Sequence, residues 1–474
     1  MTRRQLLLGA SLAALLSGCT PGQRSADTPA AGQPAHTIEE LLGTRPYYIA
    51  HRGSGDNWPE HTALAYAQAA AAGAKAIEVS VNCTSDGRLV CHHDRDTKRL
   101  TGKDLVIADT PYEDLGELRN DAREWLGPAS TLEPIPLLKD VLDAYAGSHV
   151  IFIEDKQGTN TGALLDLMDS YPESRSHFVW KQVAMADQVT EVSGRGYKTW
   201  GYFGEDLFDR IDELEPRFDY LGVYHTAPDQ VIERLVATGK PVICWEVHTR
   251  SMRDRLLDLG VAGMMCSNIP YVTSSTARYE TDRFGTGLRA AGDLPWAVDR
   301  GWSRQPAIQP GPASIALNGP ENPSYCMGSM CPLPEDIYSI QFQMRWPREL
   351  PQSQEHAGLA FGQPGDQPYR VLKRSGVGGY HVVMRASGTL ELFRRGPGEI
   401  SGTLLSTLQT EPARAGEWMS FWVDVTPATV GFARTDGTGW RDIVRHQEFR
   451  GGYFSLTKNY DGDAPVEFRK VAAS

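Results

Sequence analysis

Short apolar runs alternate with amphipathic stretches along the chain from Tyr47 onward. The runs are continuous rather than alternating, which is typical of strands that are buried on both faces of a parallel sheet. Apolar residues recur at helical spacing in segments between them, such as 61–72, 137–145, 229–238 and 251–259. This repetition of strand and helix over residues 46–285 predicts an α/β fold, either a TIM (β/α)8 barrel or a doubly wound sheet.

The sequence contains nine apolar runs, one more than the eight strands of a TIM barrel. They are YYIAH, AIEVSV, RLVCHH, HVIFIED, HFVWKQ, KTWGYF, YLGVYH, VICWEV and GMMCSN. No helix separates AIEVSV from RLVCHH, so we expect one of these two runs to be irregular or to be a paired extension of the sheet.

Polar residues gather where these runs end. In a TIM barrel the carboxyl ends of the strands form the rim on which active sites are built, so this placement favours the barrel. The polar residues are His51, Arg52, Glu78, His93, Asp94, Glu154, Lys156, Gln182, Glu246 and His248.

The pattern changes in the last part of the chain. Residues 286–330 hold many prolines and glycines with little periodicity, and alternating runs follow them: YSIQFQMRW, YHVVMRA, TLELFRR, SFWVDVT and GYFSLTK. Alternation punctuated by turn residues predicts an all-β sandwich over residues 286–474. Its Trp418, Trp422 and Trp440 fit the core or the sheet edges, and a sugar-binding face is the alternative.

The first residues have the pattern of a targeting segment. Arg3 and Arg4 precede an apolar stretch that is too short to span a bilayer. The sequence LSGC at 16–19 resembles a bacterial lipobox, which implies a signal peptide over 1–18 and a lipidated Cys19; a plain secretion signal is the alternative. Residues 19–45 are rich in Pro, Gly, Ala, Ser and Thr and predict a flexible tether. We expect the protein to be exported and lipid-anchored to the outer face of a bacterial cell membrane, or secreted.

Composition narrows the possible partners. The chain has 474 residues, 41% of them hydrophobic, which predicts more than one folded domain. Its formal net charge of -12 gives nucleic acid no general attraction, so we expect no nucleic-acid partner. An anionic substrate must therefore be held by positive charge in one place.

Cysteines offer possible disulfides in an oxidising compartment. Cys326 and Cys331 are close enough in sequence for a small disulfide loop, and Cys83 and Cys91 flank a turn and could face each other across a hairpin. The two others in apolar runs are either a further pair or buried free thiols: Cys244 and Cys266.

The charged residues at the strand ends suggest phosphoryl chemistry. His51 and His93 end runs that could be neighbours, and an imidazole can take or give a proton near pH 7. Carboxylates could hold a divalent cation, and fixed positive charge could stabilise phosphate oxygens. These further groups are Glu78, Glu154, Arg52 and Lys156.

A series of motifs resembles the glycerophosphodiester phosphodiesterase family over residues 46–275. The motifs are HRG at 51–53, PEHT at 59–62, EVS at 78–80, TSDG at 84–87, HD at 93–94 and EDK at 154–156. The usual forms in the family are HRG, PENT, ExD, TxDG, HD and ExK. Their order and spacing make chance agreement improbable.

The resemblance implies a TIM barrel that cleaves glycerophosphodiester-type substrates of lipid metabolism or wall polymers. It implies that His51 and His93 are the general base and general acid, and that a hydroxyl of the substrate glycerol attacks phosphorus. The resulting cyclic phosphate can then be opened by water. It further implies phosphate contacts from Arg52 and Lys156, and a Ca²⁺ or Mg²⁺ site formed by Glu78 and Glu154 with support from Glu60.

Several positions depart from the family pattern. Ser80 replaces the second carboxylate of ExD, so a hard cation loses one negative ligand and binds more weakly. A metal-independent enzyme that uses Lys156 as its cation, similar to the bacterial phosphatidylinositol phospholipases C, is one alternative. Another is a catalytically silent barrel that binds carbohydrate or wall at the surface, with glycan contact through 286–474, whose end loosely resembles concanavalin-like sandwiches. The other departures are His61 for Asn, Glu246 for Thr and Ser267 for Asp.

Overall fold

A computed structural model of the chain describes residues 36–274, 279–290, 306–318, 325–326, 333, 336–367, 369, 371–460 and 464–474. The predicted signal peptide, Cys19 and most of the predicted tether lie outside these residues, and so does Cys331 of the predicted Cys326–Cys331 disulfide. Within the described part of the chain, no helix has the length and apolar character needed to cross a membrane.

Eight parallel strands close into a barrel, which confirms the predicted TIM-type fold. In the closed sheet the strands follow the order β1-β11-β10-β9-β8-β7-β6-β2, and β2 pairs back to β1 through Ile77 and Ala50. The strands of this half are β1 (Tyr47–Ala50), β2 (Ala76–Cys83), β3 (Leu89–Cys91), β4 (Arg119–Asn120), β5 (Glu133–Pro134), β6 (Val150–Asp155), β7 (Phe178–Val183), β8 (Lys198–Phe203), β9 (Tyr220–Tyr224), β10 (Val242–Val247) and β11 (Gly263–Cys266).

The ninth apolar run is the extension that the sequence suggested. Strand β3 pairs antiparallel with β2 and is not part of the barrel. The predicted facing of Cys83 and Cys91 is wrong, because Cys83 lies opposite Leu89 and Cys91 lies opposite Val81. The turn fixes a register in which the cysteines are offset along the ladder.

The thiols of Cys83, Cys91, Cys244 and Cys266 are free.

Helices cover the outside of the barrel. In α6 the buried residues Leu138, Val141, Leu142 and Tyr145 have the spacing of a single helical face, which packs on the sheet. The helices are α1 (Ile38–Gly43), α2 (Ala63–Ala71), α3 (Lys98–Thr101), α4 (Tyr112–Gly116), α5 (Arg123–Leu126), α6 (Leu138–Tyr145), α7 (Thr161–Asp169), α8 (Ser174–His177), α9 (Val189–Gly194), α10 (Ile211–Leu214), α11 (Asp229–Ala237), α12 (Arg250–Asp258) and α13 (Ile269–Thr273). Short 3-10 helices lie at His51–Gly53, Ile107–Asp109, Glu205–Arg210, Glu215–Arg217 and Phe284–Thr286.

The barrel interior places the polar residues in one layer. Apolar side chains from several strands form a cluster there, including Ile49, Ala76, Phe152, Val179, Trp200 and Met265. Because side chains on a strand alternate between its two faces, the residue two positions further on continues on the same face. Those residues are His51, Glu78, Glu154, Lys181, Tyr202 and Ser267. The polar layer therefore lies next to this apolar cluster, at the carboxyl ends of the strands. We call this end of the barrel the barrel mouth.

Two antiparallel sheets form the second half, as predicted. One has the order β12-β13-β24-β15-β20-β21-β22 and the other β14-β23-β16-β17-β18-β19. Apolar residues from both sheets belong to one continuous core cluster. The strands are β12 (Ala307–Gln309), β13 (Ser314–Leu317), β14 (Tyr325–Cys326), β15 (Tyr338–Arg345), β16 (His356–Gln363), β17 (Gly379–Arg385), β18 (Thr389–Arg395), β19 (Thr403–Gln409), β20 (Met419–Val425), β21 (Thr429–Arg434), β22 (Trp440–Arg445), β23 (Tyr453–Lys458) and β24 (Val466–Ala473).

A buried aspartate links the sheets to the barrel. Asp366 accepts hydrogen bonds from the backbone N–H groups of Arg250 (2.7 Å) and Ser251 (3.0 Å) at the start of α12. Its carboxylate also accepts from the Tyr271 hydroxyl at 2.8 Å. The domain limits 46–285 and 286–474 stay predictions.

Candidate active site

A tight turn after β1 aims two groups at the barrel mouth. Arg52 has φ 53° and Gly53 has φ 79°, so the chain reverses at once after His51. A Cβ on Gly53 would lie 2.8 Å from the Cβ of Ala65, and only glycine fits there without displacement. The turn also directs the Arg52 backbone N–H at Glu78 Oε2, at 3.0 Å.

His51 is buried and neutral. Its Nδ1 lies 3.0 Å from the Ser267 hydroxyl and 3.9 Å from a Glu246 oxygen. Burial lowers the pKa of His51 to about 4, although the nearby Glu246 carboxylate opposes that shift. Because Nδ1 is engaged with Ser267, Nε2 is the nitrogen that can accept a proton from a substrate.

His93 follows β3 and has a charged partner on each ring nitrogen. Nδ1–H donates to Asp94 Oδ1 at 2.8 Å, and Nε2 lies 3.4 Å from the Lys156 ammonium. Burial lowers the pKa of His93, while the hydrogen bond to Asp94 acts in the opposite direction. Its side chain is 28% exposed, so substrate can reach it.

A lysine that sequence reasoning missed lies between the two predicted metal ligands. Lys181 Nζ is 2.7 Å from Glu78 Oε1 and 2.8 Å from Glu154 Oε2, and the lysine side chain is 7% exposed. Burial alone would raise the pKa of Glu78, but the Lys181 ammonium holds it well below its ordinary range. The same balance lowers the pKa of Glu154 to about 2. Burial alone would lower the pKa of Lys181, yet the two carboxylates raise it. All three groups are therefore charged.

Contacts join these residues into a closed circuit around the mouth. Glu154 Oε1 also accepts from Lys156 Nζ at 3.2 Å and from the Tyr202 hydroxyl at 2.7 Å. Glu60 accepts from Arg52 at 3.1 Å and from Arg99 at 2.6 Å, and Arg99 donates to Asp94 at 2.6 Å. In order, the circuit is His93, Lys156, Glu154, Lys181, Glu78, Arg52, Glu60, Arg99 and Asp94, which returns to His93.

A second buried network lies behind His51. His248 Nδ1 is 2.7 Å from Asp56 Oδ2, and its Nε2 is 3.3 Å from Glu246 Oε2. Burial would lower the pKa of His248, but the two carboxylates raise it to about 10. Burial would raise the pKa of Glu246, but electrostatic interactions with His51 and with the hydrogen-bonded His248 hold that pKa well below its ordinary range.

The structure brings together most of the residues predicted from the sequence. The predicted residues that take part in the contacts of the mouth are His51, His93, Arg52, Lys156, Glu78, Glu154, Glu60, Ser80, Asp94, Glu246 and His248. Gln182 instead bonds to Trp180 and to the Ala186 carbonyl. Sequence reasoning missed Lys181, Arg99, Asp56 and Tyr202. A lysine within the apolar run HFVWKQ was a usable signal, because a lysine in a buried strand needs a carboxylate partner.

The carboxylates do not fit a divalent cation as they are arranged. Both predicted ligands, Glu78 and Glu154, are paired with Lys181, and Ser80 uses its hydroxyl as a donor to Glu78 at 3.1 Å. Glu60 is paired with arginines. Over the described ranges of the chain, no cluster of three or more His, Cys, Asp or Glu side chains has a metal-binding arrangement.

Comparisons with known proteins agree on one family. Residues 51–200 match the glycerophosphoryl diester phosphodiesterase family. The chain is 38% identical over 255 residues to the probable glycerophosphodiester phosphodiesterase 1 of Mycobacterium tuberculosis (strain H37Rv), covering 47% of this chain and 90% of that protein. It is 26% identical over 231 residues to YhdW of Bacillus subtilis (strain 168), covering 46% of this chain and 93% of that protein.

Solved structures are also similar to about half of the chain. A phosphodiesterase of Oleispira antarctica in complex with the product sn-glycerol-3-phosphate superposes with a TM-score of 0.42 and 19% identity. The match covers 49% of this chain and 97% of the other.

Proposed function

Because this chain belongs to the glycerophosphodiester phosphodiesterase family, a family of phosphoric diester hydrolases, we propose that it hydrolyses glycerophosphodiester-type substrates with His51 as base and His93 as acid. The observation that carries this proposal is that two differently supported imidazoles share a mouth with Arg52 and Lys156. One imidazole is arranged to accept a proton, and the other lies beside a carboxylate that favours its protonated form.

The proton transfers follow from these surroundings. His51 Nε2 takes the proton of a substrate glycerol hydroxyl while that oxygen forms a bond to phosphorus. His93 Nε2 gives a proton to the leaving oxygen as its bond to phosphorus breaks. Water then opens the cyclic phosphate with the two histidines in exchanged roles. Each step conserves charge and protons, and the enzyme returns to its starting state.

Substrate binding prepares His93 for its role as acid. Without substrate, burial keeps the pKa of His93 below its ordinary value, and Nε2 accepts from Lys156. A phosphate anion at the mouth attracts the Lys156 ammonium and favours the imidazolium form of His93, because opposite charges stabilise each other in a site of low dielectric. Arg52 binds the same phosphate from the His51 side.

The role of the metal is the point at which this chain departs from its family. Enzymes of this family generally depend on a divalent metal. The Ca²⁺ or Mg²⁺ that the motifs imply would need Glu78, Glu154 and Glu60, and these carboxylates are paired with basic side chains. No step of the proposed reaction passes through a metal ion.

Hydrolysis of a defined panel tests the proposal. The substrates are glycerophosphocholine, glycerophosphoethanolamine, glycerophosphoglycerol and glycerophosphoinositol, with release of glycerol phosphate followed by a coupled assay. We expect turnover of at least one substrate, and its loss in His51→Ala and in His93→Ala. Absence of turnover across the panel, with chelator and with Ca²⁺ or Mg²⁺, would refute the proposal.

Export and membrane attachment are part of the same proposal. The LSGC sequence at 16–19 supports lipidation of Cys19, which would keep the enzyme at the outer face of a bacterial membrane. Expression with a labelled fatty acid should place label in the wild-type protein and none in Cys19→Ser. Absence of label in the wild type, with both proteins released into the medium, would argue for a plain secretion signal.

Glycan contact through 286–474 is a second, accessory function. A shallow cavity of about 360 Å³ on the β half is lined by Trp422, Arg434, Trp440 and Arg441, among others. Arginines lie over all three tryptophans, at 4.4 and 4.0 Å from the ring centroid of Trp418 but at 5.4 Å for Trp440 and 5.8 Å for Trp422, so the ring of Trp418 is the most closely covered. Pull-down on cell wall by the full chain and by Trp440→Ala tests this role, and equal retention of both would exclude the cavity as the glycan site.

A further inference from the structure

The Lys181 ammonium lies where the family pattern places a divalent cation. Its Nζ contacts Glu78 and Glu154, which are the two carboxylates that the ExD and ExK motifs assign to the metal. The 2.7 Å contact with Glu78 is a charge-assisted hydrogen bond, and the 2.8 Å contact with Glu154 is a close ion pair. The glutamate side chains are 0% and 6% exposed, so the pairs are shielded from water and from salt.

Two changes in the sequence compensate each other in charge. The family pattern has three carboxylates, at the positions of Glu78, Ser80 and Glu154, around a divalent cation, which gives a local charge of about -1. This chain has two carboxylates around one ammonium, which gives the same sum. Ser80 stands where the family pattern has a third carboxylate, so one negative charge is absent. Its hydroxyl donates to Glu78 Oε1 at 3.1 Å, and the position therefore carries a hydrogen-bond donor instead of a metal ligand.

We propose that Lys181 is a permanent, protein-borne replacement for the divalent cation of the family, so that this enzyme works without a metal. The inference rests on the proposed phosphodiesterase function. It differs from the sequence-based alternative, which gave the cation role to Lys156. Lys156 is 21% exposed and contacts His93, which suits a group that meets the substrate, whereas Lys181 is buried between the carboxylates.

Lys181 acts as a positioning residue through its two carboxylates. Glu78 Oε1 binds Lys181, which leaves Oε2 to hold the Arg52 backbone N–H at 3.0 Å. Glu154 Oε2 binds Lys181, which leaves Oε1 to hold Lys156 at 3.2 Å. A single ammonium therefore fixes both groups that we assign to the phosphate. A metal ion would have the same organising effect in the family site.

Metal binding by the full chain provides a test that does not need activity. Protein treated with chelator and then dialysed is titrated with Ca²⁺ and with Mg²⁺ by calorimetry, and its thermal midpoint is recorded at about 1 mM of each ion, where a functional site would stabilise the fold. We expect no saturable binding and no shift for the wild type. The double variant Ser80→Asp with Lys181→Ala restores three carboxylates and should gain Ca²⁺ binding and a raised midpoint.

Turnover then separates this inference from the proposed function. On the glycerophosphodiester that the wild type hydrolyses best, kcat/KM should change by less than about twofold between excess chelator and added metal. Lys181→Met should lower kcat/KM by about 100-fold, and no metal should restore it. The matched control is Lys139→Met, which removes an exposed lysine paired with Asp143.

The outcomes are distinct. Saturable Ca²⁺ or Mg²⁺ binding by the wild type that Glu78→Gln abolishes, or activity that chelator removes and metal restores, would overturn the role of Lys181 while the proposed function stands. Absence of metal binding together with absence of turnover under all conditions would refute the proposed function and leave the replacement of the cation supported. If Lys181→Met does not fold, the wild-type titration and the double variant decide the question.

Discussion

The two histidines of the barrel mouth are supported in different ways. His51 is almost fully buried and bonds a neutral hydroxyl, that of Ser267. His93 is partly exposed and bonds the Asp94 carboxylate. A hydroxyl orients an imidazole without favouring its charged form, whereas a carboxylate favours the imidazolium. This difference supports the proposed assignment of the base to His51 and of the acid to His93, although Glu246 also lies 3.9 Å from His51 Nδ1. The motifs by themselves do not distinguish the two roles.

The charges behind the two histidines also differ in kind. Beside His93 the cation is Lys156, whose ammonium lies 3.4 Å from Nε2 and is paired with Glu154. On the His51 side the cation is His248, an imidazolium whose pKa Asp56 and Glu246 raise to about 10 against the effect of burial. Lysine and arginine charges are fixed over the range in which enzymes work, while a histidine charge can be lost at alkaline pH. The two sides should therefore respond differently to pH.

Removing either imidazole should have the largest effect. We expect His51→Ala and His93→Ala each to lower kcat by roughly 10²- to 10⁴-fold, since each removes one partner in proton transfer. Steady-state kinetics on the best substrate measures the loss. The matched control is His446→Ala, which removes a histidine of the β half, and it should retain wild-type kcat. A loss of kcat in only one of the two variants would contradict the proposal that both histidines transfer protons.

Asp94→Asn should weaken the His93 side alone. The charge-assisted bond from His93 to Asp94 raises the pKa of the imidazole, so its removal lowers that pKa and reduces the fraction able to give a proton. We expect a loss of roughly 10- to 100-fold in kcat/KM and an alkaline limb of the pH profile that moves to lower pH. Asp104→Asn, which breaks an exposed ion pair with Lys98, is the control. A profile shifted to higher pH would contradict the role of Asp94.

Ser267→Ala should lower kcat/KM through its effect on His51, and by less than Asp94→Asn does through His93. The variant loses a neutral hydrogen bond of 3.0 Å, so we expect a decrease of about two- to tenfold in kcat/KM. The alkaline limb should stay in place, because the surroundings of His93 are unchanged. A shift of that limb in Ser267→Ala would mean that the two histidines titrate as one coupled unit.

His248 should affect stability at alkaline pH more than activity. Its pKa is raised from 6.5 to about 10 in the folded protein, so its stabilising contribution is fully present below pH 6.5 and is lost as pH rises through about 10. Urea midpoints measured between pH 6 and pH 10 should fall for the wild type. For His248→Gln the same decrease should be smaller. Parallel curves for the two proteins would show that the Asp56–His248 pair does not cause the loss of stability at alkaline pH.

The position of the site was predictable from the sequence because strand period and topology decide it. His51, Glu78 and Glu154 each follow an interior apolar residue by two positions, and parallel strands bring their ends to one rim. Sequence reasoning missed the role of Lys181 because it depends on which strands are neighbours. Strand β7 pairs with β6, and β6 pairs with β2, which carries Lys181 to both glutamates.

Register explains the other differences from the sequence predictions. Cys83 and Cys91 flank a turn, yet the hairpin pairs them with Leu89 and Val81, and such an offset cannot be read from spacing alone. In the β half, strand β16 (HAGLAFGQ) is buried along its whole length, so its run shows no alternation and was not recognised. Strands β19 (TLLSTLQ) and β22 (WRDIVR) lie at the sheet edges, and none of their residues is fully buried, so their sequences lack a regular apolar face.

The pH dependence of kcat/KM for a glycerophosphodiester, recorded in excess chelator, tests the central claim most directly. We predict a bell-shaped profile without metal, in which activity falls below about pH 4 as His51 is protonated, and falls at higher pH as His93 loses its proton. Because burial lowers both pKa values, the maximum should lie on the acid side of pH 6.5. Activity that appears only with added Ca²⁺ or Mg²⁺, or that rises steadily to alkaline pH, would contradict an acid–base site built around a lysine.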